Sequence, residues 1–337
     1  MHKIVYFDVQ DDEKEFFKAT NEGKYDYYLL EDSLTHMTPL DGKYTDAKII
    51  SIFTTSRISK EVLKQFTKLE LIALRSVGYN HVDIDYCNER GIVVENTPNY
   101  GNKSVAEFAM ALLLDVCRKV TKANTLYKEI GIDTQQLIGQ ELGGKTIGIV
   151  GLGAIGGEFA RLANGFEMKI LGYDLFRNEK FVKEYNVNYT DFETLLTSSD
   201  FISIHAPLTN ENRHMFNEDA FKKMKNSAIL INTARGEHID TQALYNALKS
   251  GEIAGAGLDV LESEETITDD DYLVDISRLN ETTLMQTILN TRLQQLQNVI
   301  ITPHIAYNTT EAINRILKTT MSNINSFVDG IVQHNVN

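Results

Sequence analysis

The chain has 337 residues, 42% of them hydrophobic and 24% charged, with a formal net charge of −14. That length suits about two domains, and an acidic surface repels phosphate backbones, which sets nucleic acid aside as a partner. The most apolar helical stretch, "AMALLL" (109–114), is closely flanked by Glu107, Asp115, Arg118 and Lys119, so no membrane span is expected.

The N-terminal "MHKIVYFDVQDDEKE" passes from one strand-like run straight into charge, without the apolar core and small-residue cleavage site of a secretory signal, so a cytoplasmic protein is expected. Strands are predicted at "KIVYFDV" (3–9), "KIISIFT" (48–54), "LELIALRS" (69–76) and "IVVENT" (92–97), with helical runs between them such as "SKEVLKQF" (59–66), where Ser59 is placed to cap. Repeated βα units argue for a mostly parallel sheet covered on both faces. A long helix is predicted over 102–128, with Val105, Phe108, Leu112, Val116 and Val120 on one face. A second βα series follows at "KTIGIVG" (145–151), "KILGYD" (169–174), "FISIHAPL" (201–208), "SAILINTA" (227–234) and "IAGAGLDV" (253–260). A last strand, "VIITPHIA" (299–306), precedes a helix of about 309–330. Cys87 and Cys117 have no metal or redox spacing and read as reduced thiols in packed helices. The stretch 262–281 holds eight acidic residues and one arginine; it matches no calcium-loop pattern and reads as a solvated surface insertion, so no metal site is expected.

"TIGIVGLGAIG" (146–156) puts Gly151, Gly153 and Gly156 in G-x-G-x-x-G spacing between a β-branched strand and a helical run. That context makes a common glycine pattern specific. The first glycine permits a tight turn, the second lets backbone approach a pyrophosphate, and the third lets the helix pack on the sheet, its N-terminus facing the phosphates. Asp174, 18 residues after Gly156, ends the next strand. A carboxylate there accepts from ribose hydroxyls and repels a 2′-phosphate, which favours NAD over NADP, with Arg177 nearby as a counterweight.

Several ordered segments resemble the D-isomer-specific 2-hydroxyacid dehydrogenases, within them the D-lactate and D-2-hydroxyisocaproate type: "RSVGYNHVD" (75–83), "NTPNYGNKSVAEFAMALLL" (96–114), the glycine motif, "HAPLTNENRHMFN" (205–217), "INTARG" (231–236), "GLDVLESE" (257–264) and "ITPHIAYNTTEA" (301–312). The resemblance implies two doubly wound α/β domains with parallel sheets. One is a discontinuous flavodoxin-like substrate domain, 1–100 plus 300–337; the other is a Rossmann NAD-binding domain, 101–299. It further implies a homodimer with the helix from 102 in the interface. Arg235, Glu264 and His304 fall on the family's catalytic arginine, glutamate and histidine. Val77 and Gly78 would offer backbone N–H groups to the substrate carboxylate, with Tyr100, Tyr307 and Phe53 lining the substrate. Ile155 and Gly156 would meet the pyrophosphate and Asp174 the ribose. Ala206, Pro207 and Asn212 would border the adenine side and phosphates, and Thr233, Ala234 and Asp259 the nicotinamide ribose and carboxamide. Two features depart from the family's pattern: the 40-residue interval from Glu264 to His304, and Glu265 where many relatives have proline or glycine.

The residue types suit the chemistry. A guanidinium pairs with the carboxylate of a 2-oxo acid and polarises its ketone, while a histidine near its natural pKa gives or takes the proton. A carboxylate beside that histidine orients it and stabilises its charged form. The expected activity is NAD-dependent reduction of pyruvate or a larger 2-oxo acid to the D-2-hydroxy acid. The alternatives are a glyoxylate/hydroxypyruvate-type reductase and a non-enzymatic, NADH-sensing scaffold like the co-repressors of this fold.

Overall fold

The computed structural model describes residues 1–127, 134–264 and 281–337. They divide into two units, Met1–Tyr100 with Thr309–Asn337, and Gly101–Asn308. The insertion expected over 262–281, and Glu265 with it, lies mostly outside the described residues, since 265–280 are not among them. Among the described residues no helix is long and apolar enough to cross a membrane.

The first unit is built on five parallel strands: β1 (Lys3–Tyr6), β2 (Asp26–Leu29), β3 (Ile49–Ile52), β4 (Leu71–Leu74) and β5 (Val93–Glu95), in the order β2-β1-β3-β4-β5. Helices α1 (Asp11–Asn21), α2 (Gly42–Thr45), α3 (Lys60–Leu63) and α4 (Ile84–Arg90) connect them, and Ser59 caps α3 as expected. Side chains of a strand alternate between faces, and this sheet buries both. Val5, Ile50, Ile52, Ile72 and Leu74 enter one core, and Ile4, Tyr6, Ile49, Leu71 and Ala73 the other. The second core is completed by Leu317, Met321 and Ile324 of α13 (Thr310–Val328), the last helix of the chain. Fully apolar strands such as "LIAL" follow from having no solvent face.

The second unit has seven parallel strands: β6 (Thr146–Val150), β7 (Lys169–Tyr173), β8 (Asn188–Tyr189), β9 (Phe201–Ile204), β10 (Ile229–Asn232), β11 (Gly255–Leu258) and β12 (Val299–Ile301). Their order is β12-β11-β10-β9-β6-β7-β8. Helices α5 (Asn102–Arg118), α6 (Val120–Tyr127), α7 (Ala154–Gly165), α8 (Glu179–Tyr185), α9 (Phe192–Ser198), α10 (Glu218–Lys223), α11 (Thr241–Ser250) and α12 (Glu281–Gln294) accompany them. The winding reverses between β6 and β9, and ligands of open α/β sheets bind outside the carboxyl ends of strands at such a reversal.

Two expectations need correction. The expected return to the first unit at 300 comes too early: Val299, Ile300 and Ile301 pair with Ala256, Gly257 and Leu258, so the chain stays with the seven-stranded sheet through 308. The single helix expected over 102–128 is broken at Lys119, whose φ of 57° ends α5, while both oxygens of the Asp115 side chain accept from Thr121. The break turns Val120 out to solvent. The deepest residues of α5 are Ala106, Ala109, Leu113 and Cys117, the two alanines letting the helix lie close to the sheet, with Leu112 and Val116 resting on Gly257.

Candidate active site

The carboxyl end of β6 runs into the glycine turn. Gly151 has φ +88°, a conformation side chains rarely adopt, and a Cβ on it would strike the backbone of Ala206 just past β9. A Cβ on Gly156 would collide with the carbonyl oxygen of Gly151, so α7 packs directly on the turn it leaves. Gly153 caps α7, and a Cβ there would project into open space. Backbone approach is therefore unobstructed where the helix presents its unpaired N–H groups. Ile155 is in the first turn of α7 and half-buried.

Asp174, just beyond β7, folds back on this turn. Its Oδ2 accepts from Leu152 N at 2.6 Å and its Oδ1 from Phe176 N at 2.9 Å. Each oxygen keeps a lone pair for a further donor. The Arg177 counterweight is engaged, bonded to Glu179 at 2.8 Å and lying over the Tyr189 ring. Replacing Asp174 with asparagine keeps an acceptor for Leu152 and removes the charge. The NADH/NADPH ratio of catalytic efficiencies is expected to fall by roughly ten-fold, since a carboxylate–phosphate repulsion in a half-exposed site is worth about 1–4 kcal/mol. Steady-state rates with both cofactors measure this, and a wild type indifferent between them would remove the role from Asp174.

Past β9, His205 is bonded to Ser203 Oγ at 2.9 Å and packed against Phe159, the tilted rings 4.9 Å apart between centroids, and burial pushes its pKa down to about 3. The ring is a neutral structural group. Ala206 and Pro207 then open a loop closed by Asn212, whose amide donates to Pro207 O at 2.8 Å and accepts from Thr209 N at 2.7 Å. Asn212, expected to border the cofactor, shapes this loop with both ends of its amide.

Arg235 stands three residues beyond β10, after Thr233 and Ala234. Asn232, a buried polar residue ending an apolar strand, accepts from Ala234 N at 3.0 Å and donates to Arg235 O at 2.8 Å; His238 Nδ1 meets that same oxygen at 3.0 Å. The main chain of Arg235 is thus pinned from two sides. A Cβ on Gly236 would collide with the backbone of Leu261 and Glu262, which is why a glycine follows the arginine. The guanidinium donates to Ala234 O at 2.7 Å through one nitrogen. Thr233 is nearly buried, and its Oγ1 has no partner among the described residues.

His304 sits in a turn built on Asp259. The buried Asp259 carboxylate accepts from Thr302 Oγ1 at 2.5 Å, Ile305 N at 3.0 Å and Ala306 N at 2.8 Å, and Asp259 O accepts from His304 N at 2.9 Å. Burial raises the Asp259 pKa, and the three donors oppose the rise. The carboxylate expected to meet the nicotinamide carboxamide thus also holds this turn. His304 itself has φ 54°, left-handed backbone tolerated here because the turn is held at so many points. Its Nδ1 lies 2.6 Å from Glu264 Oε1, and Glu264 Oε2 accepts from Leu261 N at 3.1 Å. Burial works against the charged ring, but the bonded Glu264 and the nearby Asp259 outweigh it, so His304 titrates above the ordinary histidine range despite an opposing effect of Arg235. Tyr307, in the same turn, is half-buried and has its Cβ near Gly101.

In the first unit, Val77 and Gly78 follow β4 in a loop held by Ser76 Oγ on Gly78 O at 2.7 Å and by Asn96 Nδ2 on Val77 O at 2.8 Å. Val77 is exposed. Phe53 lies one residue past β3, half-buried and outside both cores of the unit, its N–H on Asp8 Oδ2 at 2.9 Å. Tyr100 O accepts from Arg315 Nε at 2.7 Å.

Residues 110–306 match the family profile described as "D-isomer specific 2-hydroxyacid dehydrogenase, NAD binding domain". The chain belongs to this family. The dehydrogenase is 38% identical over 295 residues to a glyoxylate reductase of Korarchaeum cryptofilum, covering 86% of this chain and 82% of the relative. It is 33% identical to the D-lactate dehydrogenase of Escherichia coli, covering 97% of each. Among solved structures, the D-lactate dehydrogenase of Aquifex aeolicus complexed with NAD and lactic acid superposes with a TM-score of 0.84 at 34% identity, covering 97% of this chain and 96% of that one. The cofactor is NAD. The glycine turn, the open approach at Gly153, the carboxylate of Asp174 and the orphaned Thr233 hydroxyl fit it.

Sequence reasoning missed Asn232 and Thr302. A lone amide closing the apolar run "AILIN" is a signal that could have found the first. Thr302 gives no comparable signal.

Proposed function

We propose that this NAD-dependent 2-hydroxyacid dehydrogenase works as a reductase of small, unphosphorylated 2-oxo acids, pyruvate foremost, and yields the D-2-hydroxy acid. The observation that carries the reading is the 2.6 Å bond between His304 Nδ1 and Glu264. With Nδ1–H held by the carboxylate, Nε2 is the position from which the charged ring gives its proton to the ketone oxygen. Arg235, pinned through its main chain, holds the substrate carboxylate and polarises the ketone. Val77 and Gly78 N–H donate to the same carboxylate, and Tyr100, Tyr307 and Phe53 bound the substrate. When bound, NADH supplies the hydride. Run backwards, neutral His304 takes the proton of the hydroxyl. The lactate-type reading is supported by a relative of that name matched along 97% of both chains.

A glyoxylate/hydroxypyruvate reductase is the second reading, favoured by the higher identity to the Korarchaeum protein. Following NADH absorbance with pyruvate, 2-oxoisocaproate, glyoxylate and hydroxypyruvate separates the two. Pyruvate is expected to have the highest kcat/KM; a preference for glyoxylate or hydroxypyruvate would install the second reading, and NADH binding without turnover a sensing scaffold. We also propose a cytoplasmic homodimer, supported by the exposed apolar side chains Val120, Tyr127 and Ile138 around α6.

Phe53 carries the size prediction. Each additional methylene contributes about 0.8 kcal/mol on burial, so available volume decides between alkyl groups. Phe53→Ala is expected to raise the kcat/KM ratio of 2-oxoisocaproate to pyruvate by about ten-fold, mainly through the larger acid. An unmoved ratio would take Phe53 out of the substrate's surroundings.

A further inference from the structure

Glu262 stands two residues from Glu264, and its carboxylate has a different task. Only 12% of its side chain is accessible. Its Oε1 accepts from His214 Nε2 at 2.8 Å and Arg213 Nη2 at 3.0 Å, and its Oε2 from Thr241 Oγ1 at 3.2 Å. Its main-chain oxygen accepts from the buried Asn290 Nδ2 at 2.9 Å, and Gln286 Nε2 donates to Thr241 Oγ1 at 2.7 Å. These partners come from the Pro207–His214 loop, the first turn of α11 and the body of α12. The Leu261–Glu262 backbone is also what presses against Gly236, next to Arg235.

The stretch from Leu261 to Glu264 belongs to no strand or helix, and Ser263 within it has φ 54°. No strand or helix pairing therefore holds it in place. Among the described residues, side-chain tethers tie it to distant segments, and several of them meet at Glu262. Arg213 is half-exposed, so its share of the attraction is screened. The shielded carboxylate matters more, because its removal leaves the His214 ring and the Thr241 hydroxyl without their acceptor.

We propose that Glu262 is a positioning residue: it fastens the segment that carries Glu264 to the loop bordering the cofactor, and so holds Glu264 on His304. The inference rests on the reading of Glu264 and His304 as the proton-transfer pair. Among the described residues, the charged groups bearing on His304 are Glu264, Asp259 and Arg235, and those touching Glu262 are Arg213 and His214. Glu262 thus acts on His304 through Glu264 and not through its own field.

The test compares Glu262→Ala, Glu262→Gln, Glu264→Gln and the Glu262→Ala/Glu264→Gln double variant. The readouts are the pH profile of pyruvate reduction at saturating NADH and the titration of the His304 ring by NMR in the cofactor-free protein. Protonated His304 is the active form in reduction, so a lower pKa brings the high-pH loss of rate to lower pH. Glu264→Gln is expected to move that limb down. Glu262→Ala should move it the same way by at least half as much, with turnover reduced about five- to ten-fold, the usual scale for coupled neighbours. Glu262→Gln, which keeps an oxygen for His214 and Thr241, should recover most of the loss, and the double variant should shift no further than Glu264→Gln. A Glu262→Ala enzyme that is slower with its limb and ring titration unmoved would reduce Glu262 to a structural part and overturn the inference. Additive shifts in the double variant would overturn it too, as direct action on His304. An unmoved limb in Glu264→Gln itself would instead bring down the underlying pair.

Discussion

His304→Ala is expected to lower the turnover of 2-oxo acid reduction by roughly 10²–10⁴-fold, the range for losing a general acid. The loss should report chemistry and not folding. The turn around His304 is held by Asp259 through Thr302, Ile305 and Ala306 and through the amide of residue 304, and none of those bonds uses the imidazole. Left-handed backbone costs L-residues in general only about 1–2 kcal/mol, which bounds the strain that alanine can add at this well-held position. Cofactor affinity, followed by NADH fluorescence, should stay near that of the parent enzyme. Turnover within a few-fold of the parent would mean that the proton comes from elsewhere, with a water chain the first suspect.

Arg235→Lys is expected to reduce kcat/KM for pyruvate by roughly 10²–10³-fold, similar to removing a donor from a developing oxyanion. Lysine keeps the charge and loses the planar fork, so it cannot meet carboxylate and ketone together. The substitution leaves its surroundings in place, because Asn232 and His238 hold the main-chain oxygen of residue 235. NADH titration should therefore read close to the parent while the rate collapses. Near-parental kinetics would remove Arg235 from the reaction.

The candidate site was more legible in the sequence than the details that hold it. Gly151, Gly153, Gly156 and Asp174 could be read because cofactor binding ties residue type to a fixed order of strand, turn, helix and strand. The strands could be read because sheets covered on both faces need unbroken apolar runs, although each was drawn too long at its carboxyl end. "FISIHAPL" stops being strand at Ile204, where His205 turns to bond Ser203. The edge strand β2 was missed: "DYYL" carries a mixed, half-buried pattern, since an edge strand is less enclosed. The break at Lys119 was hidden because Lys, Val and Thr do not advertise a helix end, and it depends on Asp115 capping Thr121. Asp259 and Glu262 were harder still. Both are acids near an acidic stretch, and only the fold separates a buried turn-holder, a tether and the partner of His304. Among the described residues, Glu264 is the carboxylate on His304 and Glu262 is engaged with Arg213, His214 and Thr241.

The first unit is made of two segments separated in sequence by the second unit, and Leu317, Met321 and Ile324 of the later segment finish the core around Ile4, Tyr6 and Leu71. Synthesis therefore sets the order in which the protein can mature. At about 5–20 residues per second, β1 leaves the ribosome roughly 15–60 s before the helix that covers it exists. Throughout that interval one face of a five-stranded parallel sheet has Phe17 of α1 but lacks Leu317, Met321 and Ile324 from its apolar cover, while the seven-stranded unit, encoded without interruption, has all its strands to hand first. The nascent dehydrogenase is thus most open to aggregation through the half that was made earliest, and a chaperone shielding it would have to stay on until the final helix arrives.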